Sequence, residues 1–567
     1  MIRLFKTNAI RAVTELEGMW DFYPHDVGDD KDNRDGGQEA MSLYVPGSWE
    51  THPKLLSYRG IGTYKKTIEL EQQSHLRLVF KGVSHTAVVY FDGVQIAHHY
   101  NAYTAFSAVV KDASPGTHEL KVVVDNSFNA YSSLHIPNDY YTYGGLIRPV
   151  ALEIVPDVWI ERLECCPFLV EGVWHAEVKS IVKNIDVKPH QVRLEGECDG
   201  LRFEAGSGVV EPGTEAVLTC TQPFPDVISW SDGSPNLYLL GVKLFADGES
   251  APTDDLIERI GFRVVTTENG RIQLDGQDVV LKGFNRHEDH PTAGASLPVS
   301  FMAHDLDLVA DMGGNCVRTS HYPNDERFLD LCDERGIMVW EENHARGLNL
   351  DNMRHPNFIA QCEAVNREMV EQHVNHPSIL MWGILNECAS DSEEGRIHYE
   401  RQIAQIRALD SSRPITFASH HRSRELCFDL ADIVSVNLYP GWYTDEDPGE
   451  LFDQVKVWAD TRGGAGKPII ISEFGGDGYY GLRDPNRVRG TEERQADILE
   501  AILKACIERP FISGALIWQF CDCRVVEGTG WLLSRAGTQN SKGIVDRYRR
   551  PKLAYQVVQT YFRKEWH

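Results

Sequence analysis

Ser378-Ile-Leu-Met-Trp-Gly-Ile-Leu-Asn-Glu387 and Lys467-Pro-Ile-Ile-Ile-Ser-Glu-Phe474 are two apolar runs that each deliver one glutamate, Glu387 and Glu473. Glutamate is disfavoured in strands and almost never fully buried unless paired. Two such runs in one chain point to two carboxyl groups facing one cavity, which is the equipment of glycoside hydrolysis. Either glutamate alone also fits a structural ion pair or a solvated strand end. The pattern around them decides.

From about residue 266 strands and helices alternate. Candidate strands are 279–284, 316–319, 337–341, 379–385, 415–419, 433–437, 469–472 and 514–518, rich in Ile, Val, Leu and Trp. Helical periodicity fits 302–311, 325–335, 359–374, 397–409 and 492–507 between them. Eight βα units in this stretch predict a (β/α)8 TIM barrel, with the active site at the C-terminal ends of the strands. Glu387 and Glu473 fall at such ends, after candidate strands four and seven.

The first half reads as all-β. Leu76-Arg-Leu-Val-Phe80 and Ala87-Val-Val-Tyr-Phe91 are strand-like, and Asp92-Gly93, Pro115-Gly116 and Pro212-Gly213 read as turns. No long amphipathic helical pattern precedes about residue 300. The chain divides into a sandwich over 1–158, a smaller sandwich over 159–265 and the barrel over 266–567, a multidomain β plus α/β class.

Of the 567 residues, 42% are apolar and 25% charged, an ordinary globular balance. Net charge is −27, which argues against nucleic acid as a partner and requires local positive charge wherever an anion binds. No apolar run is long enough to span a membrane. The opening Met-Ile-Arg-Leu-Phe-Lys lacks the apolar core of a secretory signal, so the cytoplasm is the expected location. Twelve cysteines show no CxxC spacing and read as reduced, buried thiols. His287-Glu-Asp-His290 lacks the HExxH spacing, so no metal is expected. Gly476-Asp-Gly-Tyr-Tyr-Gly481 satisfies GxGxxG, but Leu-Arg-Asp-Pro follows where a helix should begin, and no dinucleotide cofactor is expected.

Further motifs carry a family resemblance across nearly the whole chain. They include Leu16-Glu-Gly-Met-Trp-Asp-Phe22, Val45-Pro-Gly-Ser-Trp49, Tyr58-Arg-Gly-Ile-Gly-Thr-Tyr64 and the run 139–150. In the barrel they are Lys282-Gly-Phe-Asn-Arg-His-Glu-Asp-His-Pro291 and Arg318-Thr-Ser-His-Tyr-Pro323. The chain resembles glycoside hydrolase family 2 and, within it, the β-glucuronidases. Trp382-Gly-Ile-Leu-Asn-Glu387 resembles the family's acid/base motif and Ile471-Ser-Glu-Phe-Gly475 its nucleophile motif. The three domains then correspond to a sugar-binding jelly roll, an immunoglobulin-like sandwich and the catalytic barrel.

The resemblance implies a retaining double displacement with Glu473 as nucleophile and Glu387 as acid/base. The charge of Glu473 and apolar packing against the Trp382 strand are expected to raise the pKa of Glu387. Asn386 matches the group that binds the sugar 2-hydroxyl, Tyr439 the tyrosine that orients the nucleophile, and Tyr443 a second site tyrosine. Trp518 is a candidate sugar platform. His287 and His321 match histidines of the family's pocket, and Asp139 matches a residue that reaches from the jelly roll toward a distal sugar hydroxyl. Each also fits a core role, since isolated tyrosines, tryptophans and histidines usually pack.

Gln539-Asn-Ser-Lys-Gly543 matches the Asn-x-Lys motif that grips the C6 carboxylate of a uronide. Lys542 supplies a charge and Asn540 an amide donor, so a neutral sugar would leave Lys542 unpaired. Arg535 resembles a further contact, with spacing one residue longer than the family pattern. Arg346 is a departure, standing where familiar glucuronidases carry a small or apolar residue. It makes the C4 epimer, a β-galacturonide, the alternative substrate, whether alone or in a dual hexuronidase. The loop after Arg346 is short and predicts an open mouth tolerant of leaving-group size. The expected partners are β-uronide small molecules or oligosaccharides. The family implies a homo-oligomer, tetramer or dimer. The rival readings are a β-galactosidase, opposed by Asn540 and Lys542, and a non-catalytic carbohydrate-binding protein, opposed by the two glutamates.

Overall fold

Asp92 and Gly93 both adopt positive φ, 49° and 79°, as a two-residue hairpin turn of the kind that matches strand twist requires. The turn joins strands Thr86–Phe91 and Val94–Tyr100. In the first of these Ala87, Val89 and Phe91 are buried and alternate with half-buried neighbours, the period of two that sets one strand face on a core. Such strands build a four-stranded and a six-stranded sheet in the N-terminal part. Their shared core includes Trp20, Phe22, Trp49, Phe80 and Leu120. The protein is described by a computed structural model covering residues 2–25, 40–527 and 530–567.

Strand Val150–Val155 passes almost directly into Val158–Val170, which opens a second sandwich of three-stranded and four-stranded sheets. Buried ion pairs tie the parts together. Arg11 pairs with Glu153 of the first sandwich at 2.9 Å and with Asp254 of the second at 2.8 Å. Arg3 reaches Asp330 of the barrel at 2.8 Å. Removing one partner of a buried pair costs about 3–5 kcal/mol because it strands the other charge, so each junction depends on both of its partners.

Eight parallel strands close the barrel: Leu281–Asn285, Cys316–Thr319, Met338–Glu342, Ile379–Gly383, Ile415–Ser419, Ile433–Asn437, Ile469–Glu473 and Ile512–Ile517. All eight candidate strands are present, displaced by at most a few residues. Among the described residues, α-helices follow every strand but the fifth, where the short 3-10 turn Arg422–Arg424 stands instead. Eight complete βα units were expected, and this is a correction. The stretch 420–432 is too short for a helix and two loops. Two helices escaped the periodicity, Pro448–Thr461 and Ala554–Phe562. Leu281, Met338, Trp340, Met381, Ile470 and Leu516 belong to one packed cluster that fills the barrel. No helix among the described residues is long and apolar enough to cross a membrane.

Candidate active site

Glu473 is the last residue of the seventh strand, and Glu387 follows the fourth. The chain turns sharply before Glu387: Leu385 and Glu387 hold φ of 46° and 52°, a conformation non-glycine residues adopt rarely. The Glu387 amide donates to the Ala418 carbonyl at 2.9 Å, which anchors the turn to the fifth strand. Such strain at a strand exit is typical of positions held for function.

Arg318, fully buried on the second strand, joins the parts of the site. Its Nη1 donates to Glu473 Oε1 and to Asn285 Oδ1, both at 2.9 Å. Nη2 donates to Asn386 Oδ1 at 2.8 Å, and Nε donates to Glu342 Oε2 at 2.9 Å. Tyr439 donates to Glu473 Oε2 at 2.7 Å, so both nucleophile oxygens are held. Asn437 Nδ2 donates to Glu387 Oε1 at 3.0 Å and to Asn386 Oδ1 at 3.2 Å. The Asn386 oxygen is therefore occupied, while its Nδ2 is buried with no partner among the described residues. That orphaned donor suits a sugar hydroxyl, because an unmet buried donor costs about 1–3 kcal/mol.

A cavity of about 440 Å³ opens over these groups. Asp139, Arg346, Glu387, Tyr439, Tyr443, Glu473, Trp518, Arg535 and Lys542 all line it, so nine residues singled out in the sequence meet in one place. Asn386 and Asn540 lie buried just behind. His287 and His321 do not line it. They back Trp518, with ring centroids at 5.4 Å and 5.1 Å. His321 Nδ1 lies 2.6 Å from Glu342 Oε1; burial, then Arg318, push its pKa well down, so the neutral ring donates from Nδ1. A second groove, about 600 Å³, shares Gly347, Glu387 and His420 with the cavity and lies on the acid's side. A separate cavity, about 820 Å³, lies over the second sandwich and contains neither glutamate.

The positive groups are already engaged. Lys542 Nζ donates to Asp477 Oδ1 at 3.0 Å, and Asn540 Nδ2 donates to Asp139 Oδ2 at 2.8 Å. Arg535 forks onto the same Asp139, with Nε at 2.8 Å. Arg346 turns inward and donates to Asn138 Oδ1. The expectation that a neutral sugar would leave Lys542 unpaired is corrected, because Asp477 is its partner. Three cations, Arg346, Arg535 and Lys542, line the cavity in a chain of net charge −27, the latter two paired with Asp139 and Asp477.

The carboxyl pair also corrects an expectation. Burial works to raise Glu387, but His420, Arg346 and the Asn437 amide together hold it below the ordinary range. Burial and then the charge of Glu387 push Glu473 up to about 7, against Arg318 and Tyr439. Apolar packing around Trp382 does not decide the matter, since charged neighbours outweigh it. In the empty site Glu473 is therefore the weaker acid of the two.

Sequence reasoning missed Arg318, Glu342, Asn437, His420 and Asp477 as site residues. Arg318 opens a quoted motif and Asn437 ends the candidate strand 433–437, and that position was their signal. Asp477 lay in the glycine-rich run weighed only as a dinucleotide loop.

A model of the glycosyl hydrolases family 2 TIM barrel domain matches residues 265–565, and one of the family 2 galactose-binding domain-like region matches 59–145. A β-glucuronidase of Streptococcus agalactiae is 28% identical over 98% of this chain and 96% of its own. The crystal structure of a GH2 β-galacturonidase from Eisenbergiella tayi bound to galacturonate superposes with a TM-score of 0.96 at 44% identity, covering 100% of both chains. A β-glucuronidase from Ruminococcus gnavus in complex with uronic isofagomine superposes with a TM-score of 0.84 at 25% identity, over 99% of both chains.

Proposed function

The chain belongs to glycoside hydrolase family 2, and we propose that it is a retaining β-hexuronidase that releases glucuronic acid from β-D-glucuronides. The observation that carries this reading is the cluster of Arg346, Arg535 and Lys542 on the wall of the cavity that also holds the two glutamates. A substrate carboxylate would meet charged donors there, and charge-assisted hydrogen bonds in a closed site are the strong kind.

Glu473 attacks the anomeric carbon while Glu387 gives its proton to the leaving oxygen. In the empty site Glu473 is the weaker acid, so substrate has to reverse the order. A glycosidic oxygen accepting from Glu387 rewards that carboxyl's protonated form. Arg318 and Tyr439 keep their donors on Glu473 and reward its charge. A substrate carboxylate near Arg346 also weakens the field that holds Glu387 ionised. Once the glycosyl-enzyme forms, Glu387 is a carboxylate and takes a proton from the water that attacks the same carbon. Asn386 Nδ2 meets the 2-hydroxyl.

Arg346 in the cavity favours a second reading, in which β-galacturonides are substrates as well or instead. It lies beside Asn138 and Asp139 at the strand-three mouth, where an inverted C4 hydroxyl would gain a donor. The Eisenbergiella galacturonidase supports that reading by its 44% identity. The expectations of a homo-oligomer working in the cytoplasm go with the proposal. The test is a panel of aryl β-glucuronide, β-galacturonide, β-galactoside and β-glucoside. Turnover confined to the uronides supports the proposal, and neutral sugars cleaved equally well refute it.

A further inference from the structure

Lys542 is almost completely buried, and its ammonium faces a carboxylate that belongs to the protein. Asp477 comes from the loop after the seventh strand, four residues past the nucleophile, and is itself 7% exposed. The two loops are locked together. Gln495 Nε2 donates to the carbonyls of Gly476 at 3.0 Å, Lys542 at 3.3 Å and Gly543 at 3.0 Å. The Gly478 amide donates to the Ser541 carbonyl at 3.0 Å. A Cβ on Gly478 would lie 2.4 Å from Gln495, and one on Gly475 would lie 2.5 Å from the Trp518 carbonyl. Both glycines are therefore required for this close approach, and Asp477 is held in place by backbone.

We infer that Asp477 is a positioning residue of the uronate clamp: it holds the Lys542 ammonium aimed, with its other N–H groups free for the substrate carboxylate. An ammonium has three donors, and Asp477 takes one. The Trp442 and Tyr443 rings flank the same group at 5.2 Å and 5.4 Å from their centroids, so its place is fixed before substrate arrives. Without Asp477, the Lys542 ammonium has no bonded partner to aim it, and its Nζ can turn away from the substrate carboxylate. The groups facing Lys542 are Asp477 after strand seven, Tyr443 after strand six, Arg535 and Asp139 across the clamp, and Glu473 and Glu387 on the floor. Arg535 Nη1 is 3.9 Å from Asp477 and committed to Asp139, so it does not replace the lost charge.

This inference rests on the hexuronidase reading. The test compares wild type, Asp477→Ala and Asp477→Glu, measuring kcat and KM for an aryl β-uronide, with thermal melting as a folding control. In Asp477→Ala, KM rises about tenfold while kcat and melting hold, and Asp477→Glu keeps a near-wild-type KM. An unchanged KM in Asp477→Ala overturns the inference, as does a loss of kcat with lowered melting. Wild type cleaving aryl β-galactosides as readily as uronides instead overturns the underlying reading.

Discussion

Lys542→Met removes the ammonium of the clamp but keeps an unbranched side chain against Trp442 and Tyr443. In the empty site the group has one bonded charge partner, Asp477 at 3.0 Å, and it is 1% exposed. A hydrogen bond to a charged group contributes about 1.5–3 kcal/mol net, and burial puts this one toward the upper end. That range is a fall of about tenfold to 150-fold in kcat/KM for a uronide. The cavity wall loses one of its three cations, so the substrate carboxylate also loses part of its long-range attraction. The variant leaves Asp477 with only Arg535 at 3.9 Å, and any resulting structural loss acts on every substrate alike. The assay is therefore initial rates on a 4-nitrophenyl β-uronide paired with thermal melting of the same preparation. The uronide rate should fall and the melting temperature hold. If melting falls with the rate, or the uronide rate survives, the carboxylate-clamp reasoning fails.

Glu473→Gln should abolish turnover while calorimetry still detects uronate binding, because the clamp is intact. Arg346→Ala should lower kcat/KM on a β-galacturonide about tenfold more than on a β-glucuronide, the worth of one charge-assisted contact; an unchanged ratio removes Arg346 from C4 recognition. Glu50, buried in the first sandwich under the Gly144 amide, is pushed by burial from its ordinary 4.5 up to about 8. A raised folded-state value gives stability that is present below 4.5 and lost as pH rises through about 8. Glu50→Gln should therefore gain melting temperature relative to wild type as pH climbs through that window, and a gap that shrinks with pH contradicts it.

The barrel was legible because each strand is a run of β-branched or apolar residues that packs on both faces, and such runs stand out against amphipathic helices. Pro448–Thr461 was not, because its start, Asp447-Pro448-Gly449, has the composition of a turn, while in the fold Asp447 caps the helix and Pro448 stands in its first turn. Ala554–Phe562 follows Arg550-Pro551 with no side-chain cap to announce it. In the site, both glutamates and the Asn540–Lys542 motif were readable by position. Their partners were not. Asp477 meets Lys542 across 65 residues and Asp139 meets Arg535 across 396, and nothing local in either segment encodes those pairings. The order of the two carboxyl pKa values failed for the same reason, since Arg346, His420 and Arg318 converge on the pair from three other strand ends.

The central claim is that Glu473 forms a covalent bond to a uronic acid held by the Lys542 clamp. Incubation with a 2-deoxy-2-fluoro-β-uronyl fluoride, followed by peptide mass mapping, tests it directly. The account predicts one fluoro-uronyl label on Glu473 and none from the corresponding neutral galactosyl fluoride. A label on another residue, or equal labelling by the neutral sugar, would contradict it.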